Sequence, residues 1–539
     1  MKIIKPFIYS FLQILLAVTT TSGQTGSGTL PRILDKNGRH TLLVDGKPFF
    51  ILGGQAHNSS AWPAMLPSVW RSFEAMHANT LEIPIYWEQV EDQAGKFDFS
   101  LIDTILIQSQ EHKVHLVLLW FATWKNGSNH YMPEWMKRDA NKYPNITSQN
   151  GKSVDSPSPH TEAAMEADKK AFAAVMRYLK RADKKHTVLM VQVENESGSW
   201  GSIRDFSPYA QKLFEGPVPT ELLNPAVLRA LQAPIVSGGS WKKVFGDRSD
   251  EYFHAWSIAH YIGEVTSAGK AEYALPMYVN AALRDPLTNP PATQYESGGP
   301  TDNVIAIWKA AAPSIDFLAP DIYLTGHDKV LKVLELYDRP DNALFVPEIS
   351  TATEYAKYLY DVIARGGIGF SPFGIDDNGR GETTTKTAER LAPFTQEYAV
   401  IEPMIQELAQ WGYEGKIKVV FERDDHQDQT IDLGAWQAVI YFGSGRGNAF
   451  QPNAQTSGKA LIVKLDENNF VLIGTHCRIS FRPLGKDAGR AWQYAKVEEG
   501  YFQNGTFKMS RVLNGDETDW GGPLFNSTPV VLKTTLLLR

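Results

Sequence analysis

One cysteine in 539 residues, Cys477, rules out an intrachain disulfide, so the fold is not a disulfide-stapled one. The 13 histidines are scattered, with no His-x-x-x-His or Cys/His spacing, and neither a metal nor any other cofactor is expected. Positive charge is not in excess either. With 53 Lys and Arg against 60 Asp and Glu, the formal charge is −7, which leaves no electrostatic footprint for nucleic acid. Gly53-Gly54 and Gly366-Gly367 lack the fingerprint of a dinucleotide loop. Beyond the N-terminus no apolar run is long enough to span a bilayer, so no membrane insertion is expected of the processed chain.

The N-terminus has the layout of an export signal. Lys2 and Lys5 are followed by an apolar run from Phe7 to Val18 and small residues from Thr19 to Gly23. Cleavage is expected before Gln24, with no nearby cysteine for a lipid anchor, giving a soluble periplasmic or extracellular protein. A polar leader and a hairpin turning at Asp45-Gly46 fill 24–48. Aromatics make up 11% of the chain, with 14 Trp. Most are packing residues, but ring-lined clefts also suit the faces of sugars.

From 49 to 412 apolar strands alternate with amphipathic helices. The strands read as Phe49 to Gly53, Thr80 to Ile83, His115 to Trp120, Val188 to Val193, Met277 to Asn280, Phe317 to Tyr323, Ala343 to Glu348 and Gly367 to Phe373. Eight such units are the number that closes a (β/α)8 TIM barrel, an α/β fold. An insertion rich in Pro, Gly and Trp, Ser199 to Asp250, interrupts the series. The texture then changes over 413–539. Lys416 to Phe421, Ala435 to Phe442, Ala460 to Lys464, Phe470 to Gly474, Arg478 to Phe481, Trp492 to Glu498 and Val530 to Leu538 are short β runs split by turns. They predict a smaller all-β sandwich domain.

Barrel active sites sit at the C-terminal ends of the strands. The fourth strand stops abruptly on Glu194, Asn195 and Glu196, and the seventh on Glu348. Glu196 and Glu348 would then face one another across the mouth, as a proton donor and a nucleophile for glycosyl transfer must. Glu194, just before Asn195, is expected from strand alternation to face away and to play a supporting part. Tyr323, Trp87 and Trp124 close the sixth, second and third strands and are candidates to line a sugar site. Lys125 and Asn126 have the look of a solvated turn. Gln55, His57 and Asn58 close the first strand, where a structural histidine is expected. Asp376 and Asp377 fall in a run typical of a turn.

The stretch Val191-Gln-Val-Glu-Asn-Glu-Ser-Gly198 resembles the acid/base segment of glycoside hydrolase family 35, the retaining β-galactosidases. Asn79 to Ser100 is similar to the second-strand motif of the same family. The resemblance spans about Phe49 to Phe373, and the C-terminal domain looks like the accessory domain of a bacterial branch. It implies that Glu196 is the acid/base, that Glu348 is the nucleophile and that Asn195 bonds the sugar 2-hydroxyl. The chain departs from the family pattern at Pro84, at Val90-Glu91-Asp92, at Ser197 and at Pro347-Glu348-Ile349-Ser350. Its third-strand loop, Trp120 to Asn126, resembles that of family 42 β-galactosidases instead. The expectation is a retaining exo-β-galactosidase acting on carbohydrate side chains, of xyloglucan or another plant polysaccharide. The alternatives are another retaining β-glycosidase of the same clan, of β-glucosidase or mannanase type, and a non-catalytic carbohydrate-binding barrel. Oligomeric state is not legible.

Overall fold

In the computed structural model residues 29–377, 382–443, 445, 451–454 and 456–539 are described. The export signal lies outside the described residues, as does the leader apart from Thr29. Eight parallel strands close into a barrel in chain order. They are β1 (Ile51–Gln55), β2 (Thr80–Tyr86), β3 (His115–Lys125), β4 (Val188–Asn195), β5 (Met277–Ala282), β6 (Phe317–Ile322), β7 (Phe345–Ile349) and β8 (Gly369–Pro372). The circle closes where Gly369 and Phe370 of β8 pair with Ile51 and Leu52 of β1. Every residue of β4 is buried, the pattern of a strand covered on both faces by barrel interior and outer helix. A helix follows each strand, from Leu66–Ala75 after β1 to Thr384–Ile401 after β8.

The first strand begins two residues later than the sequence suggests. Phe49 belongs instead to Lys47–Phe49, which pairs antiparallel with Arg39–Val44 across the Asp45-Gly46 turn. Arg32–Lys36 adds a third strand to that sheet.

The C-terminal region is all antiparallel. Six strands form one sheet in the order Ile417–Phe421, Lys459–Lys464, Asn469–Thr475, Val530–Leu538, Trp492–Gln503 and Thr506–Val512. Four form a second, Gln429–Asp432, Trp436–Phe442, Cys477–Pro483 and Leu524–Phe525. Gln429–Asp432, Thr506–Val512 and Leu524–Phe525 are absent from the sequence reading. The first and last are very short, and Thr506–Val512 is an edge strand with hardly a covered side chain, so no apolar alternation marks it.

Period two explains how this domain is packed. Ile462, Phe470, Leu472 and Leu532 of the larger sheet share a core with Trp436, Ile440 and Ile479 of the smaller. The alternate residues Leu461, Val463, Val471, Ile473 and Val531 join the core of the barrel domain. The central strands of the larger sheet are therefore buried on both faces, and the near-continuous apolar run Phe470 to Ile473 is their signature. A buried ion pair between Lys459 and Glu397 crosses the same junction, with the Tyr360 hydroxyl donating to Glu397 at 2.5 Å.

Candidate active site

The stretch that ends β4 carries two left-handed residues in succession on either side of Asn195, Glu194 at φ +63° and Glu196 at φ +43°. Each costs about 1 kcal/mol or more in a residue with a Cβ. Strict alternation would put residues two apart on the same face. The left-handed turns break it, and they are the reason the two glutamates part. Glu194 turns away from the mouth, as expected, although alternation is not the cause. Its Oε2 accepts the Trp124 backbone N–H at 2.7 Å, beside Asp168. Burial, then the Asp168 charge, holds the Glu194 carboxyl far above the ordinary range, so it stays protonated against its neighbour. Asp168 in turn accepts from Trp120 Nε1 (3.0 Å) and Thr123 Oγ1 (2.6 Å), which ties β3 to the helix Glu162–Ala182.

Glu196 faces the mouth. Its backbone N–H donates to Asn280 Oδ1 (3.0 Å) and its carbonyl accepts from the Gly127 N–H (3.0 Å). Asn126 Nδ2 donates to the Glu196 carboxylate, and Lys125 Nζ donates to Asn126 Oδ1. Across the barrel Glu348 is held from two sides. The Tyr323 hydroxyl donates to Oε1 at 2.5 Å, and the Gln55 amide, turned so that its nitrogen faces the carboxylate, donates to Oε2 at 3.0 Å. Asp321 of β6 sits in register with Glu348 of β7 and accepts from Asn280 Nδ2 at 2.6 Å. One carboxylate oxygen from each of Glu196, Asp321 and Glu348 lies within 4.8 Å of the other two.

Three buried carboxyls this close do not all ionise at neutral pH. Burial, then the Glu196 charge, pushes Glu348 up to about 7, against the pull of Lys125, Tyr323 and Gln55. Burial, then Glu348 and Glu196, raises Asp321 far above its ordinary value. Among the described residues these three are the only set placed to hold a cation. Asn126 donates to Glu196, Asn280 to Asp321 Oδ2, and Tyr323 and Gln55 to Glu348. Spread over three strands, the three acids leave no spacing signal in the sequence.

Asn195 is buried next to Glu196. Its Oδ1 accepts from Gln192 Nε2 at 3.4 Å while its Nδ2 has no protein partner. An orphaned donor in that position suits a ligand hydroxyl. Tyr323 is at the mouth, 44% exposed. The two tryptophans are not. Trp87 and Trp124 are each 0% exposed. Trp87 opens the short helix Trp87–Val90, gives its indole N–H to Glu91 Oε2 (2.9 Å) and packs on Trp120. Trp124 falls within β3, which runs on to Lys125, and meets Tyr261 edge to face. Both are packing residues. The exposed indoles on loops that follow barrel strands are Trp62 and Trp200.

Lys125 and Asn126, read from sequence as a solvated turn, and Gln55, read as a first-strand end, belong to the site, while Asn280 and Asp321 went unremarked in the sequence. Asn280 and Asp321 carried the same signal as Glu196, a polar residue closing an apolar strand. His57 is structural, its ring and backbone N–H both on Asp376 (3.1 and 2.9 Å).

Residues 59–227 match a family model described as Beta-galactosidase, of glycoside hydrolase family 42 type. Residues 394–524 match a Domain of unknown function (DUF5597). A curated relative, "Beta-galactosidase 11" of Arabidopsis thaliana, is 33% identical over 104 residues, 18% of this chain. The match spans only 12% of that relative's length. Among solved structures, a β-galactosidase from Bacillus circulans sp. alkalophilus superposes with a TM-score of 0.52 at 11% identity, over 90% of this chain and 99% of that one. One from Rahnella sp. R3 gives 0.46 at 14%, over 66% and 57%. The family model is of the family 42 type rather than family 35, in keeping with the third-strand loop Trp120 to Asn126 that it covers. Residues 59–227, within the barrel, are thus β-galactosidase-like in sequence.

Proposed function

We propose that the protein is an exported, retaining exo-β-galactosidase that removes terminal β-linked galactose from glycan side chains. The observation that carries this reading is the closeness of Glu196 and Glu348, with carboxylate oxygens within 4.8 Å. Retaining glycosidases hold their two carboxyls roughly 5–5.5 Å apart, whereas inverting enzymes need roughly 6.5–9.5 Å to admit a water. The galactose assignment is supported by the β-galactosidase match over 59–227 and by the likeness of Val191–Gly198 and Asn79–Ser100 to family 35.

Glu348, in its carboxylate form and held by its two donors, attacks the anomeric carbon. The bond to the glycosidic oxygen breaks as Glu196 delivers its proton to that oxygen. Glycosylation removes the Glu348 charge. Glu196, now a carboxylate, takes a proton from water, whose oxygen attacks the same carbon and releases galactose with retained configuration. Asn195 Nδ2 is free to bond the 2-hydroxyl, a contact that strengthens as the oxocarbenium character grows.

A panel of aryl β-glycosides tests the sugar, with the galactoside expected to be the best substrate. Methanolysis followed by NMR tests the stereochemistry. Methyl β-galactoside is expected, and the α-anomer as first product overturns the assignment. Azide should partly restore Glu196→Ala, yielding β-galactosyl azide.

A further inference from the structure

We propose that Trp200, locked by Glu296, is the platform on which the leaving-group sugar stacks, and that this pair sets preference for a sugar over a small leaving group. The proposal rests on the assignment of Glu196 as proton donor. The donor's proton goes to the glycosidic oxygen, so the leaving group lies on the Glu196 side of the cleaved bond, away from Glu348. The loops after β3, β4 and β5 meet on that side.

Their meeting is closely built. Ser199, after β4, and Ser297, after β5, exchange backbone hydrogen bonds of 2.9 and 3.1 Å. Ser297 Oγ donates to the Ile203 carbonyl at 2.7 Å, pinning the two loops a second time. Gly198 has no room for a side chain: a Cβ there would lie 3.0 Å from Glu296 Cβ and 3.2 Å from two backbone carbonyl oxygens. Gly127, which holds the Glu196 carbonyl, sits at φ +69°. A Cβ on it would come within 3.4 Å of Glu296 Oε1 and 3.5 Å of Trp200 Cδ1. Glu296 and Trp200 are thus separated from the backbone that carries the proton donor by one glycine.

The Trp200 ring is 52% exposed, yet it is not loose. Its indole N–H donates to Glu296 Oε1 at 2.5 Å, and Glu296 is 2% exposed. Fixing the polar edge on a buried acid leaves the apolar faces presented outward. That is the arrangement a sugar's C–H face meets with little loss of side-chain freedom. Glu296 Oε2 has no protein partner despite full burial. Burial, then the Glu196 charge, pushes Glu296 up to about 8. Trp62, the other exposed indole of the barrel loops, stacks on Tyr86 and has no such tie to the neighbourhood of Glu196.

The test compares kcat/KM for a β-galactosyl disaccharide with that for β-galactosyl fluoride, whose leaving group has no ring to stack. Trp200→Ala should lower the disaccharide-to-fluoride ratio about tenfold, the factor expected for losing one aromatic contact. Trp200→Phe keeps a face without the N–H and should fall between the two. Glu296→Gln still offers an oxygen to the indole and should hold the ratio within about twofold of wild type, while Glu296→Leu should lose it as Trp200→Ala does. A ratio that stays within about twofold of wild type in Trp200→Ala overturns the proposal, as does an equal fall for both substrates. If the aryl panel shows a sugar other than galactose, the galactose reading fails and the same ratio is measured with that sugar. Wild-type protein inactive on every glycoside overturns both.

Discussion

Replacing Tyr323 by Phe isolates one hydrogen bond on Glu348, the proposed nucleophile. The hydroxyl donates to Glu348 Oε1 at 2.5 Å, and the other carboxylate oxygen keeps its Gln55 donor at 3.0 Å. A donor to the ionised form stabilises ionisation, so removing it raises the Glu348 pKa above about 7. A hydrogen bond to a charged group is worth about 1.5–3 kcal/mol when dry. Tyr323 is 44% exposed, so water can replace part of the contact. That leaves about 1 kcal/mol, or about 0.7 pH unit at about 1.36 kcal/mol per unit. Burial and then the Glu348 charge hold the tyrosine itself far above its ordinary range, so it does not titrate near neutrality. The nucleophile must be anionic in the free enzyme, and the acid limb of kcat/KM reports that ionisation. Measured with an aryl β-galactoside from about pH 5 to about pH 9, the limb of Tyr323→Phe should move up by about 0.7 unit. On the acid side this is about a fivefold loss beyond any pH-independent fall. A limb that stays in place or moves down would refute the reasoning, for then Tyr323 orients Glu348 without tuning its charge.

Asp321→Asn replaces a buried carboxyl whose pKa is raised far above its ordinary value, so it removes little charge and the acid limb should stay in place, in contrast to Tyr323→Phe. Stability should fall as pH rises from about 6.5 to about 8. In that window Glu348 (about 7) and Glu296 (about 8), both raised from 4.5, bind protons in the folded chain that the unfolded chain has already lost. Their stabilisation is complete below the unfolded value and is lost through the folded one. The buried His160 (lowered to about 4) and His254 (lowered to about 3) act with the opposite sign, but only below about 6.5. Thermal midpoints across the window should show the decline, and Glu296→Gln should flatten it; a rising midpoint contradicts the assignment. Lys459→Ala leaves Glu397 buried without its cation at the junction of the two domains, and should cost about 3–5 kcal/mol in denaturant unfolding. An effect below about 1 kcal/mol would mean that the Tyr360 hydroxyl alone satisfies that carboxylate.

The barrel was legible because its strands are buried on both faces, and an apolar run that ends on an acid is hard to produce otherwise. β4 and β7 both read that way, and both deliver their glutamates to the mouth. Asp321 ends a run of the same kind, but its meaning depends on the register that sets it opposite Glu348 on the neighbouring strand. Register between strands far apart in sequence leaves no trace in local spacing. The tryptophans failed for a different reason. A Trp near a strand end looks alike whether it points into the mouth or into the layer between strand and helix. β3 runs five residues past Trp120, with its pairing to β4 broken between Trp120 and Lys125, and this carries Trp124 under Tyr261. The same extension carries Lys125 and Asn126, which looked like an ordinary turn, onto Glu196.

What remained unread belongs to one class of structure. Glu196 and Glu348, the proposed protonating and attacking groups, are fixed by parallel strand ends, and each can be recognised from its own few residues. The leaving-group side is made where 197–204 crosses 283–301, two loops with no strand to announce them, joined by the Ser199–Ser297 bridge. Gly198 and Gly299 mark that crossing only once the fold is known, since a Cβ at Gly299 would come 2.4 Å from the Ser197 carbonyl. A chain of this kind can keep its two glutamates in place while its loops change partner. The chemistry is therefore written in the strands, and the choice of leaving group in contacts between segments nearly a hundred residues apart, such as Trp200 and Glu296 at a separation of 96.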